Sequence, residues 1–131
     1  MVLRCVRFWA MRRGIYSANC GYFSGITLAV LVGKICQEND LDAACLLYKF
    51  FETYSESGWR EPVQMQLDQQ YKKQRGVGLR QGQLQAIDQY SQDVMVVLTP
   101  NDQFRNTAYR VGEHNYDTIC QEFQRAYKIL K

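Results

Sequence analysis

Proline is nearly absent from this chain, with 2 in 131 residues. Proline removes a backbone donor and clashes with the preceding helical turn, so its scarcity over long periodic stretches favours helices. Histidine is scarcer still, His114 being the only one. No CxxC pair accompanies it, which argues against a zinc site. There is no Ser-His-Asp set, no acidic metal pair and no P-loop, so the common signatures of triad hydrolysis and P-loop phosphate binding are missing. "RGVGLRQG" contains a Gly-x-Gly step, but it follows no strand and reads as a surface turn. No internal repeat or domain linker is visible. The apolar run from Phe23 to Cys36 contains Lys34 and falls short of the roughly 20 residues that span a bilayer. No signal peptide is visible in the opening "MVLRCVRFWAMRR", where Arg4 and Arg7 break the apolar residues. Charge of neither sign dominates. The net charge of +3 permits an anionic partner without demanding one.

What is present is ordinary globular material, with 47% hydrophobic and 22% charged residues. The length fits one domain over residues 1–131 with one core. The chain has 9 tyrosines, whose apolar body and polar tip suit an interface or a nucleotide-facing wall. The 5 cysteines, Cys5, Cys20, Cys36, Cys45 and Cys120, are odd in number. They read as reduced core residues of an intracellular protein.

Along the chain, residues 2–13 read as a first helix, with Val2, Val6 and Trp9 on one face and Gly14 as the stop. Residues 14–23 form an aromatic loop. Ser24 can cap a second helix that runs to about Gln37 and is apolar on every side, which predicts a central helix surrounded by others. Asp40 or Asp42 starts a third helix over about 41–56, with Leu47, Phe50, Phe51 and Tyr54 facing inward. Residues 63–82 read as a long exposed basic loop, "GQLQAIDQYS" as a short helix and "VMVVLTP" as an extended segment. Residues 113–130 form the last helix, with Ile119, Phe123, Ala126 and Leu130 at helical spacing. The expected fold is mainly all-α, a bundle of about five helices around one apolar helix.

Four blocks of the chain resemble, in order, the middle domain of eukaryotic poly(A) polymerases. "RFWAMRRGIYSANCGYFSGITLAVLVGKICQ" is similar to that family's Lys-Leu-Trp-Ala, Tyr-Ser-Asn, Gly-Gly-Val and Leu-Val-Ala-Arg-x-Cys-Gln series. "LLYKFFETYSESGWREPV" resembles its Lys-Phe-Phe and Trp-x-x-Pro-Val segments, "VMVVLTP" its Met-Pro-Ile-Ile-Thr-Pro, and "TICQEFQRA" its last helix. The resemblance implies a helical domain that forms one wall of an ATP site, with the N-terminus of the apolar helix near the nucleotide. It gives Arg7 and Tyr16 contacts to phosphate or ribose, places the Ser24–Gly25 backbone against the ligand, and packs Ile26 on the adenine. Gly25 would let the backbone approach closely. Asn19, Lys72, Lys73, Arg75 and Arg80 are the candidate RNA contacts. The pattern departs from the family at Met11, where a basic residue is common, at Ala18, where Asn is expected, and at Ser24, which replaces a glycine. Each site residue also has an ordinary reading: Arg7 as a solvated face, Tyr16 as a ring closing the bundle, Ser24 as a plain cap, the basic loop as solvated surface.

The implied reaction adds AMP from ATP to an RNA 3′ end, in the nucleus and as part of the polyadenylation machinery. It needs Mg²⁺ or Mn²⁺ held by paired carboxylates. In the family these lie on an N-terminal nucleotidyltransferase domain. That domain and the C-terminal RNA-binding domain are expected to be absent from this chain, which alone should be inactive. Two other readings remain: a free-standing, non-catalytic helical module that binds RNA or protein, and a related uridylyltransferase.

Overall fold

The computed structural model describes residues 1–57, 59, 63–65, 93–99 and 106–131. Among them are four α-helices: α1 (Val2–Arg12), α2 (Gly25–Glu38), α3 (Ala43–Glu56) and α4 (Glu113–Leu130). A single 3₁₀ turn, Ala18–Cys20, lies in the loop between α1 and α2. Two short strands, β1 (Val63–Gln64) and β2 (Val97–Leu98), pair in parallel, with Val63 opposite Val97. The domain is small and mainly helical. The short helix expected over 82–91 and most of the expected basic loop lie outside the described residues.

α2 starts where Ser24 accepts the N–H of Thr27 on its hydroxyl at 3.2 Å, which satisfies one orphan donor of the first turn. α3 starts in the same way, with Asp42 accepting the Cys45 N–H at 2.9 Å. The Cys45 side chain, and after it this backbone N–H, hold the Asp42 carboxyl below its usual range. α2 packs against α1, α3 and both strands and buries Leu28, Val30, Leu31, Val32 and Ile35. It is not apolar-enclosed on every side. Ile26, Ala29 and Cys36 stay exposed, along the one stripe that no described element covers.

α4 closes the other side of the core, and Phe123 is fully buried at its centre. Its ring lies 5.1 Å from that of Trp9, 5.6 Å from Phe50 and 5.8 Å from Trp59. Two polar ties reinforce the packing. The Tyr54 hydroxyl donates to the Leu31 carbonyl at 2.7 Å, and burial pushes that phenol up from its usual range. Arg13, at the C-terminal end of α1, makes a two-pronged bond to Glu122 on α4 at 2.7 and 3.1 Å.

Three expectations need correction. Cys5, Cys20, Cys36 and Cys45 are exposed and Cys120 is half-buried. The register of each helix turns these thiols outward even though their neighbours are apolar. Leu130 is 44% exposed, because the last turn of α4 runs past the core. Residues 63–64 are strand rather than loop. Val63 is buried against Val97, and a two-residue strand is too short to show a period in sequence.

Phe123→Ala should lower unfolding stability by about 3–5 kcal/mol. Leu130→Ala, in the exposed last turn, should stay within about 0.5 kcal/mol of the parent. Urea titrations of the two variants check the contrast, and equal losses would refute the hub role of Phe123.

Candidate functional site

The surface around the N-terminus of α2 gathers residues from three segments. Arg7 projects from α1 with its guanidinium carbon 5.5 Å from the centre of the Tyr16 ring, a cation–π contact. Tyr16 is half-buried in the loop, and its hydroxyl lies against Gly25. A Cβ on Gly25 would stand 3.1 Å from that oxygen. Gly25 is therefore small because the phenol approaches it. Ser24 is half-buried and caps the helix, while Ile26 is 60% exposed beside it. The structure thus brings Arg7, Tyr16 and Gly25 into one contiguous patch, with Ser24 and Ile26 on either side of Gly25.

The patch keeps unspent hydrogen-bonding capacity. Ser24 takes up the Thr27 N–H, and the Leu28 N–H reaches the Ser24 carbonyl. Among the described residues the N–H groups of Gly25 and Ile26 and the Tyr16 hydroxyl have no partner. Two backbone donors at a helix N-terminus, beside a guanidinium, form a surface suited to an anion.

A polar chain beneath this surface fixes it. Thr27 is fully buried, and its hydroxyl lies 2.9 Å from the Ser24 hydroxyl and 3.0 Å from that of Thr107. The Thr107 hydroxyl donates to the Val97 carbonyl at 2.8 Å. Next to it, buried Asn106 uses its whole amide. Its oxygen accepts from the N–H groups of Val97 and Ala108, each at 2.9 Å, and its nitrogen donates to Asp93 and to the Met95 carbonyl. Strand β2 thereby holds the first turn of α2 in place.

Asn19 does not join this patch. It is exposed, and its side-chain oxygen accepts from Arg110 at 3.1 Å. Lys72, Lys73, Arg75 and Arg80 lie outside the described residues. Sequence reasoning missed Thr27, Asn106, Thr107 and Arg110. Thr27 had a visible signal, as the one hydroxyl in an otherwise apolar helix start, but the others act through contacts distant in sequence. A second groove, of about 300 Å³ and mostly apolar, runs between α1, α3 and α4 past Trp9 and Phe51 and shares no residue with the patch. Among the described residues no three His, Cys, Asp or Glu side chains come together as a metal ligand set. No helix among them is long and apolar enough to cross a membrane.

Fold and geometry define a small helical domain with an anion-suited surface at the start of its central helix. The chain belongs to the poly(A) polymerase central domain family, whose model matches residues 1–131. It is similar to Nuclear poly(A) polymerase 4 of Arabidopsis thaliana, 28% identical over 130 residues that make up 98% of this chain and 17% of that protein. It is 33% identical to Nuclear poly(A) polymerase 1 of the same plant over 131 residues, 98% of this chain and 18% of that protein. Against the poly(A) polymerase of Dictyostelium discoideum it is 29% identical over 132 residues, 100% of this chain and 16% of the relative. The chain thus spans less than a fifth of the length of these relatives.

Gly25→Ala should keep stability within about 1 kcal/mol, since alanine favours the first turn. The added Cβ should displace the Tyr16 hydroxyl. Thermal unfolding together with the NMR shifts of labelled Tyr16 checks this, and an unmoved tyrosine would contradict the close packing described.

Proposed function

We propose that this chain acts as the central domain of a poly(A) polymerase, forming one wall of the ATP site during template-independent addition of AMP to RNA 3′ ends. One observation carries the reading: Arg7, Tyr16 and the unpaired N–H groups of Gly25 and Ile26 converge on one surface. In this reading the triphosphate takes the guanidinium and the helix N-terminus, whose partial positive charge favours phosphate. The Tyr16 hydroxyl donates to phosphate or ribose. The exposed Ile26 side chain packs on the adenine face.

Arg7 differs from the lysine of the family pattern in kind as well as size. A guanidinium offers a planar fork where an ammonium is a point charge. Its guanidinium carbon lies 5.5 Å from the centre of the Tyr16 ring, which in this reading keeps the charge near the helix N-terminus where the phosphate would arrive. The neutral Met11 leaves Arg7 a larger share of the phosphate charge.

The divalent ions of the reaction would neutralise phosphate charge and activate the attacking hydroxyl. The described residues offer no ligand set for them, so in this reading they are held by the catalytic part of the full polypeptide. The central domain binds and orients; it moves no proton. The RNA 3′ end, the flanking domains and the polyadenylation machinery are the partners of the proposal. Nuclear residence is part of the proposal, supported by the names of the two plant relatives.

In the full polypeptide that carries this chain, Arg7→Ala and Tyr16→Phe should each raise the KM for ATP, by roughly tenfold where a charged hydrogen bond is lost. Circular dichroism should show the fold intact. Primer extension on oligo(A) at varied ATP measures the effect, and unchanged kinetics in both variants would leave only a scaffolding role. The 131-residue chain alone should add no labelled AMP to the same primer, and any incorporation would overturn the division of labour.

A further inference from the structure

The first turn of α2 keeps two backbone donors free, although a serine hydroxyl stands at the cap and can take one of them. A cap oxygen accepts from the second or the third N–H of its helix. In α2 these belong to Ile26 and Thr27, Gly25 being the first residue. Ser24 accepts from Thr27 at 3.2 Å and leaves the Ile26 N–H open. That distance is at the long end for an N–H donor. The shorter tie on the same oxygen is to the Thr27 hydroxyl, at 2.9 Å, and Thr27 is fully buried.

The far end of the hydroxyl chain fixes the direction of every proton in it. The Val97 carbonyl can only accept, so the Thr107 hydroxyl donates to it at 2.8 Å. With that proton committed, Thr27 donates to Thr107, whose hydroxyl and carbonyl oxygens lie at 3.0 and 3.3 Å. Thr27 has no second proton, so Ser24 is the donor in the 2.9 Å contact. Ser24 is thus held twice by one residue: it donates to the Thr27 side chain and accepts from the Thr27 backbone. Turning its oxygen toward the Ile26 N–H breaks both bonds and strips a buried hydroxyl of its donor, which is unfavourable.

We propose that Thr27 is a positioning residue for the phosphate of the ligand. Its buried hydroxyl pins the Ser24 cap to the third N–H and so keeps the Gly25 and Ile26 N–H groups for the anion. Thr27 itself touches no ligand. Serine at position 24 makes the device necessary, because a glycine there has no oxygen to compete for the donors. The role rests on the ATP-site reading above and adds the residue that decides which donors stay free.

The test uses the full polypeptide that carries this chain. Thr27→Val removes the hydroxyl and keeps the volume, Thr27→Ala removes it and favours the helix, and Thr27→Ser retains it. Hydrogen exchange, resolved by residue in a mass spectrometer without nucleotide, should slow at Ile26 and quicken at residue 27 in Thr27→Val and Thr27→Ala. Thr27→Ser should exchange as the parent does. In primer extension on oligo(A), the first two variants should raise the KM for ATP roughly tenfold, the effect of one charge-assisted hydrogen bond, with kcat little changed. Ser24→Gly added to Thr27→Val should restore most of the KM, because the competing oxygen is gone. A merely structural role predicts the opposite, two losses that add. Unchanged exchange at Ile26, or a raised KM that Ser24→Gly does not reverse, overturns the proposal. An unmoved KM in Thr27→Val and Thr27→Ala overturns it as well. Arg7→Ala in the same assay then separates the two readings: a raised KM there leaves the ATP site standing, and an unmoved one sinks that site too.

Discussion

Phe123 is the point on which the other elements converge. Its ring meets those of Trp9, Phe23, Phe50, Phe51, Tyr54 and Trp59 at centroid distances of 5.1 to 6.1 Å. These rings come from α1, the loop before α2, α3 and the residues after it, so one side chain of α4 ties four segments together. Aromatic pairs at such distances contribute about 0.5–1.5 kcal/mol each beyond area burial. The cluster tolerates local costs for this reason. Trp59 carries a φ of +55°, rare for a bulky residue, and its buried indole N–H has no partner among the described residues. Its ring stacks on Tyr54 at 5.1 Å and 10° and lies 5.8 Å from that of Phe123.

The hub positions the candidate surface indirectly. Trp9 and Phe23 bracket the loop that carries Tyr16, and both touch Phe123. Fixing these two rings fixes where the loop leaves α1 and where it enters α2. The polar clamp does the complementary job from below. Asn106 makes four hydrogen bonds and leaves no part of its amide unsatisfied, the condition under which a buried polar group gives rigidity rather than cost. Through Thr107 and Thr27 that rigidity reaches the cap of α2. A preorganised surface loses less entropy when a ligand arrives, which is where such a clamp would contribute to the proposed binding.

The helices were largely legible because their signals are local. The Ser24 cap, the period of Ile119 and Phe123, and the apolar run after Gly25 each depend on residues within a turn or two, and the observed bounds agree within a residue or two. The hub was not legible. Nothing in the spacing of Phe123 distinguishes it from Ala126, which is only half-buried, because the difference comes from rings contributed by other elements. The cysteines misled for a related reason. Cys36 and Cys45 sit among apolar residues, but residue type does not fix which way a helix faces. The candidate site divides along the same line. Arg7, Tyr16 and Gly25 lie on adjacent segments and come together in the structure, whereas the Asn19–Arg110 bond spans 91 positions and had no local trace.

Exposure of Ile26 is not by itself informative, since single exposed hydrophobic residues are common on any surface. Its neighbours give it meaning. On the reading proposed above, an apolar side chain beside unpaired helix donors and a guanidinium would present a face for a flat base next to anchors for its phosphates. That face is indifferent to which base it receives, because every base has a π surface. Discrimination requires donors and acceptors aimed at a base edge. In the first turn of α2 the nearby hydroxyls of Ser24 and Thr27 are already engaged with each other and with Thr107. On the proposed reading the surface would supply affinity and orientation, and selectivity for adenine would have to come from groups that meet the edge of the base rather than its face.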